Sequence, residues 1–462
     1  MKKHFWSDRK AKKLALSLSA ILMAIAIPLS GCANTGTNEE ESAIITDTPE
    51  KTFAQTSRGY SVAGQDCYVF STSYGTFCGT YAGIINCDVA EEQTPLTIDD
   101  ENIVLTDACA YNNNVLYMLE SSDLNICKIT ITGQNTCEKE VWISYDELVK
   151  SPYIGNKTSV LCMQNWQYAD GYIYFNIQSG QENVYDIYET DYTLCRINVN
   201  TKEISLVSSS IGVNTYVVHD NWIYYGSNGF DRNTPNTDEQ GIVAPLETKY
   251  NKDYIGLYKM KPDGSENTKL TTFTVSENDD TPYYGQCAAY NLSVYNNYLY
   301  FWYGDYDAQS IQRCTLDGAS LTTLTDNHGW LGLSFIIVPE NNTLIYKFYD
   351  SESNMVGSVD LNTLETTETS TELTNPGNNN LFYHSGNIHI IRGASQGTKA
   401  APVIYNIKFN VTDKKATAIY GYEVYKTVTN DFMGQTIEQS VFEKIVCFWQ
   451  DYTATDKLFN LF

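Results

Sequence analysis

Gly393-Ala394-Ser395-Gln396-Gly397 has the G-x-S-x-G spacing of a nucleophile elbow, in which a strained turn from strand to helix presents a serine hydroxyl. That geometry needs a helix directly after the motif. The next residues are Thr398-Lys399-Ala400-Ala401-Pro402 and then Val403-Ile404-Tyr405, so the sequence predicts a hairpin loop and no nucleophile. Beyond the N-terminal leader the histidines are His219, His328, His384 and His389, none at metal-ligand spacing from another; His384 and His389 read as strand or turn residues. The twelve cysteines include no C-x-x-C pair, so zinc and dithiol redox chemistry lack their signature. Asp231-Arg232-Asn233 and Asp305-Tyr306-Asp307 offer alternating oxygens, which makes Asp231, Asn233, Asp305 and Asp307 the candidate calcium ligands. Neither segment has the glycine and terminal glutamate of an EF-hand loop. No catalytic residue is assigned and no cofactor is expected, with calcium the alternative.

Tyrosine is the other chemically able residue, with 36 in the chain. Tyr74, Tyr81, Tyr185, Tyr188, Tyr283, Tyr284 and Tyr306 fall in segments that read as long loops: 71–82, 178–191, 273–286 and 304–310. A tyrosine offers a stacking face and a hydroxyl at small entropic cost, which suits recognition of a sugar or a peptide. These seven are the candidate ligand-binding residues. A tyrosine-rich, acidic chain also places such residues in its loops by composition alone.

The elements that position these loops repeat. Trp222-Ile223-Tyr224-Tyr225 and Gly256-Leu257-Tyr258-Lys259-Met260 have strand composition, and Lys261-Pro262-Asp263-Gly264 makes a tight turn. Strand, turn, strand, variable loop, strand, Asp-Gly turn, strand is the unit. Eight hairpin-like units can be read, from Asp66–Phe70 to Lys444–Leu461, most of them roughly 45–60 residues apart. The second strand of each is apolar on both alternating faces. A sandwich strand shows one polar face, whereas a blade packed between two others needs both covered. The expected fold is an all-β propeller of four-stranded blades, eight by this count and seven or six as alternatives. The last unit lacks a fourth strand, so the segment Thr52–Ser57 is expected to close the ring beside it. One helix signal interrupts the pattern, a capping box at Ser144-Tyr145-Asp146-Glu147.

Ile311-Gln312-Arg313-Cys314-Thr315-Leu316-Asp317-Gly318 and Leu257-Tyr258-Lys259-Met260-Lys261-Pro262-Asp263-Gly264 resemble the repeats of low-density-lipoprotein-receptor-type (YWTD) propellers. They are still more similar to those of related bacterial lipoprotein domains. The Trp-Thr-Asp part is absent: the matching places read Tyr225-Gly226-Ser227 and Phe301-Trp302-Tyr303. The resemblance implies a fold and a surface location and supplies no catalytic residue.

The N-terminus carries its own signal. Six basic residues and one acid precede the apolar run Leu14–Pro28, and Leu29-Ser30-Gly31-Cys32 resembles the lipobox of bacterial lipoproteins. The resemblance implies acylation of Cys32, residues 1–31 as signal peptide, 32–51 as a tether and 52–462 as the propeller, facing the extracellular or periplasmic side. The formal charge is −25, and about −30 without the basic leader. Such a surface repels phosphates, which argues against nucleic acid. Cys67, Cys87, Cys127, Cys195, Cys287, Cys314 and Cys447 lie in apparent strands and are expected to act as small buried hydrophobes. The function expected is non-catalytic binding of a glycan, peptide or protein partner. The alternatives are a scaffold in an envelope complex, or a carboxylate-dependent glycoside hydrolase or lyase whose acids come from different blades.

Overall fold

In the computed structural model of the chain, the described residues lie between 53 and 461. Residues 1–52, 56–66, 75–78, 87–91, 93–95, 98–108, 155–159, 180–190, 231–249, 274–288, 305–308, 327–333, 374–380 and 392–396, with a few shorter stretches, are outside the description. A short strand, β1 (Phe53–Gln55), precedes a three-stranded sheet of β2 (Cys67–Tyr74), β3 (Gly79–Asn86) and β4 (Leu96–Thr97). Blade I comes next with β5 (Cys109–Asn112), β6 (Val115–Leu119), β7 (Ile126–Gly133) and β8 (Thr136–Ile143). Blade II has β9 (Met163–Ala169), β10 (Tyr172–Ser179), β11 (Asp191–Asn198) and β12 (Ile204–Leu206). Blade III has β13 (Thr215–His219), β14 (Trp222–Phe230), β15 (Tyr250–Met260) and β16 (Thr268–Thr272). Blade IV comprises β17 (Tyr290–Tyr295), β18 (Tyr298–Gly304), β19 (Gln309–Thr315) and β20 (Thr322–Thr323). Blade V comprises β21 (Ser334–Val338), β22 (Thr343–Asp350), β23 (Ser353–Asp360) and β24 (Thr366–Ser370). Blade VI is β25 (Leu381–His384), β26 (Asn387–Ile391), β27 (Val403–Asn410) and β28 (Lys415–Phe432), extended by β29 (Gln435–Tyr452). All neighbours pair antiparallel, and the first strands of blades I to VI touch one another in succession, β5 to β9 to β13 to β17 to β21 to β25. The result is a β-propeller.

Packing explains why both faces of each second strand are apolar. Ile223 and Tyr225 join a core with Tyr174, Leu194 and Val207 of the preceding blade. Tyr224, on the opposite face of β14, joins Ala289, Leu292 and Leu299 of the following one. Similar seams lie between blades I and II, IV and V, and V and VI. Fully burying one such side chain is worth about 1.5–3 kcal/mol, so the seams are the main adhesive of the ring. Cys195 and Cys314 sit in these cores, and Cys127 and Cys447 are buried too, as small hydrophobes would be; the side chains of Cys67, Cys87 and Cys287 lie outside the described residues.

The Asp-Gly turns have a second role that spacing alone does not reveal. Gly264 has φ +80° and Gly318 φ +87°, the left-handed region that other residues rarely adopt. A Cβ on Gly264 would stand 2.1 Å from the Val207 carbonyl oxygen, and one on Gly318 2.4 Å from that of Leu270. Each turn therefore presses on the backbone at the outer edge of the preceding blade. Inside the turns, Asp263 Oδ1 accepts from Ser265 N at 2.9 Å, and Asp317 Oδ1 from Ala319 N at 3.2 Å.

Three expectations need correction. Six four-stranded blades form rather than eight, with the three-stranded sheet beside them. The eighth unit is no blade: Lys444–Trp449 lies inside β29, which pairs with β28 from Ala416↔Tyr452 to Phe432↔Gln435. Residues Lys457–Leu461 form a 3-10 helix instead of a strand. An apolar alternation specifies a strand with a buried face without specifying the sheet it joins. Nor does the N-terminal segment lie beside the last blade. β1 pairs with β17 in blade IV, and blade VI takes its fourth strand, β28, from its own sequence. The three-stranded sheet instead meets blade VI through Glu92, whose Oε2 accepts from Tyr422 Oη at 3.3 Å and lies 3.9 Å from Lys399 Nζ.

The helix signal is correct. α1 (Tyr145–Leu148) comes after blade I, and Glu147 Oε2 accepts from Ser144 N at 2.9 Å and from its Oγ at 2.8 Å.

Candidate binding face and central channel

Antiparallel blades send their connections to two ends of the ring. At one end the first and second strands join through tight turns such as Asp170-Gly171, Asp220-Asn221 and Asn296-Asn297, all with positive φ. At the other end leave the connections between second and third strands and those between blades, including residues 180–190, 231–249 and 274–288. This end is the candidate binding face.

Of the candidate residues, Tyr185, Tyr188, Tyr283, Tyr284, Tyr306, Asp231, Asn233, Asp305 and Asp307 all belong to these connections and lie outside the described residues, as does Cys32. Tyr74 and Tyr81 are different. Their backbones belong to strands β2 and β3, in register Tyr74↔Gly79 and Thr72↔Tyr81, so the expected loop 71–82 shrinks to 75–78. The period-2 pattern of Val69-Phe70-Ser71-Thr72 continues as a polar strand, and polar strand residues resemble loop residues in composition.

Beneath the face, side chains lock neighbouring blades at fixed spacing. Asn176 Nδ2, buried at the distal part of β10, donates to the Val213 and Asn214 carbonyls at 3.0 and 3.2 Å. Asn291 Nδ2 donates to the Phe335 carbonyl at 2.9 Å, and toward the opposite, tight-turn end Gln167 Oε1 accepts from Val218 N at 3.1 Å. Tyr216 Oη donates to the Asn165 carbonyl. Asn165 and Asn291 occupy matching places on β9 and β17, each left-handed (φ +55° and +54°) at an irregular step of the ladder. Asparagine tolerates that conformation because its short amide bonds locally. Sequence reasoning misses both bulges, whose only sign there is an Asn within an otherwise strand-like run.

It misses a second repeated feature as well. Tyr117, Tyr174, Tyr224 and Tyr300 on second strands face Lys128, Arg196, Lys259 and Arg313 on third strands, and His389 faces Lys408 likewise. One step earlier, Tyr172 and Tyr298 lie under the Arg196 and Arg313 guanidinium groups at 4.2 and 4.4 Å, and Trp222 under Lys261 at 3.6 Å. Burial raises the Tyr224 hydroxyl to about 12. It pulls Lys408 down to about 8. These tyrosines are structural. They cover cations between strands and do not point to chemistry.

The one strongly perturbed lysine toward the binding face, among the described residues, is Lys347. It lies in the later part of β22, is 3 % exposed, and desolvation draws its ammonium down to about 7. His389, also buried, has Nδ1 3.1 Å from Asn406 Nδ2, a core contact as its strand position implied. His219 is partly buried at the opposite end, 3.3 Å from Asp220. Gly397 precedes a bridge between Thr398 and Ala401 and then β27, so a turn and a strand come after the G-x-S-x-G spacing, not a helix. Among the described residues no group of acids, histidines and cysteines is arranged to hold a metal. A cavity of about 550 Å³ between β20 and β24, lined by Thr325, Asp326, Thr366 and Glu368, belongs to the outer seam of blades IV and V, not to the channel. There Tyr346 Oη donates to Glu368 Oε1 at 2.5 Å.

No protein-family model matches the sequence, and no curated protein matches it. Solved structures of similar fold include a nidogen/laminin complex, with 10% identity over 63% of this chain and 88% of that one, TM-score 0.33. An oligogalacturonate lyase in complex with manganese has 12% identity over 87% and 90%, TM-score 0.38. TolB from Acinetobacter baumannii has 9% identity over 68% and 66%, TM-score 0.36. At these values the likeness concerns the path of the chain and transfers no residue role or activity.

Proposed function

We propose that this chain is a membrane-anchored, outward-facing propeller that binds a glycan, peptide or protein partner without transforming it. The observation that supports this is the inequality of the two ends of the ring. Tight turns close one end, while the tyrosine- and acid-rich connections leave from the other, borne on strands locked together beneath them by Asn176 and Asn291. Variable loops on one rim of a rigid scaffold are where repeat proteins bind. Anchoring rests on the lipobox-like Leu29-Ser30-Gly31-Cys32, since a diacylated cysteine holds a protein stably on a bilayer.

The test is a thermal-shift screen of the detergent-solubilised chain against calcium, chelator, glycans and cell-wall fragments. A ligand specific to the folded state, at a hundred times its dissociation constant, adds about 2.7 kcal/mol. A shift from one ligand class, abolished by Tyr283→Ala with Tyr284→Ala, is the expected result; a flat response to every class would remove rim binding of small ligands. Cys32→Ser is expected to move the protein from the membrane to the soluble fraction.

A further inference from the structure

The six first strands face the axis of the ring, and each turns one edge inward. Such an edge carries a row of backbone donors and acceptors and is a template for another strand. Among the described residues, only β17 has this inner edge filled. β1 lies antiparallel along it in the register Phe53↔Tyr295, Ala54↔Val294 and Gln55↔Ser293, and also touches β13. The N-terminal segment thus enters the channel instead of completing a blade.

Three features mark β17 as an acceptor for a strand. The bulge at Asn291, with φ +54°, ends the regular ladder with β18 between Tyr290 and Ser293 and leaves Ser293–Tyr295 as a straight stretch of matching length. Asn291 Nδ2 fastens that stretch to blade V through the Phe335 carbonyl. Ser293 is fully buried opposite Gln55, and its Oγ has no hydrogen-bond partner. A buried hydroxyl without a partner costs free energy, and a strand with a suitable side chain at that place would satisfy it.

We propose that the inner edge of β17 is a peptide-binding site that works by strand addition, and that Phe53-Ala54-Gln55 occupies it in cis. The external ligand is an extended, proline-free segment of a partner protein with a residue of amide or hydroxyl chemistry opposite Ser293. Strand addition draws its affinity from main-chain hydrogen bonds and its selectivity from alternate side chains. Three residue pairs hold β1, so the segment is exchangeable. Its tether nevertheless presents it at an effective concentration on the order of millimolar, which a partner must outcompete or which must be relieved by pulling on the N-terminal tether. This rests on the binding-module reading above and names one ligand class and one site for it.

The experiment compares the detergent-solubilised full chain with its Ala54→Pro variant, because proline at the middle position removes a donor and cannot pair in a ladder. The probe is a fluorescent synthetic peptide of residues 50–58, with an Ala54→Pro version as control. The expected result is at least tenfold tighter binding of the probe to the variant chain, and no binding of the control peptide to either. Hydrogen exchange gives an independent reading: residues 293–295 should lose protection in the variant and regain it with the probe. Equal binding to both chains, binding to neither, or unchanged protection at 293–295 would overturn the proposal. If the strand site fails while a ligand-dependent thermal shift persists, the rim reading survives alone.

Discussion

Gly171, Gly264 and Gly318 share a positive φ of +79°, +80° and +87°, yet their surroundings differ. A Cβ at Gly171 meets nothing within 4 Å, whereas at the other two it meets a carbonyl of the preceding blade. Gly171→Ala should therefore cost only the left-handed penalty, about 1–2 kcal/mol. Gly264→Ala and Gly318→Ala add a clash with backbone that cannot rotate away, and about 3 kcal/mol or more is expected in denaturant titrations. Equal losses at all three would mean that the turns do not press on their neighbours. Titration acts through single side chains too. The folded-state value of Lys347 is lowered to about 7 and that of Lys408 to about 8, against about 10.4 for an unfolded lysine. The unfolded chain then binds more protons above pH 7, and stability from these groups rises with pH through that window. The buried thiols act in the opposite sense. Cys127 and Cys314 are raised to about 12 by burial, so above an unfolded value of about 8.5 the unfolded chain sheds protons first and stability falls. The opposing slopes of the two lysines and two thiols cancel above about pH 8.5, so melting temperature is expected to rise from about pH 7 and level off near pH 8.5. Lys347→Met should remove most of that rise while leaving the thiol-driven loss at higher pH.

Among the strands, β28 and β29 are the exceptions to blade geometry. Each has 18 residues, but only Lys415–Gly421 of β28 also pairs with β27. Beyond Tyr422 the hairpin is a two-stranded ribbon with Tyr425 and Ile437 exposed. A ribbon without a third strand is marginal in water. Amides of residues 425–430 should exchange with solvent faster by orders of magnitude than those of 416–419 on the same strand, as mass spectrometry of overlapping peptides would reveal. Uniform protection along β28 would mean that something covers the ribbon in solution. The helix α1 is readable because a capping box is local chemistry. The length of β28 is not, since Thr427, Thr429 and Asn430 look like loop residues and become strand only through pairing with Ser440, Glu438 and Ile437.

Around the ring as a unit, the C-terminal 3-10 helix fastens blade V to blade VI. Phe459 packs 5.0 Å from Phe409, and Asp456 Oδ2 accepts from Glu372 N at 3.0 Å. Phe459→Ala empties a buried site in that seam, and a loss of about 3–5 kcal/mol is expected by chemical denaturation. A loss below about 1 kcal/mol would show that the ring holds without this fastening. The class of fold is written in the chain, because a second strand apolar on both faces, repeated at the spacing of blades, has few ways to be covered other than between two neighbours. The Asp-Gly turns, the capping box and the burial of Cys127, Cys195, Cys314 and Cys447 are written there too, each being set within a few residues. How many blades form, which sheet Lys444–Trp449 joins, and where Phe53–Gln55 pairs emerge only in the folded ring. Those outcomes depend on contacts across hundreds of residues, and hydrogen bonds between backbones use main-chain groups that every residue but proline carries alike, so they leave no record in the side chains.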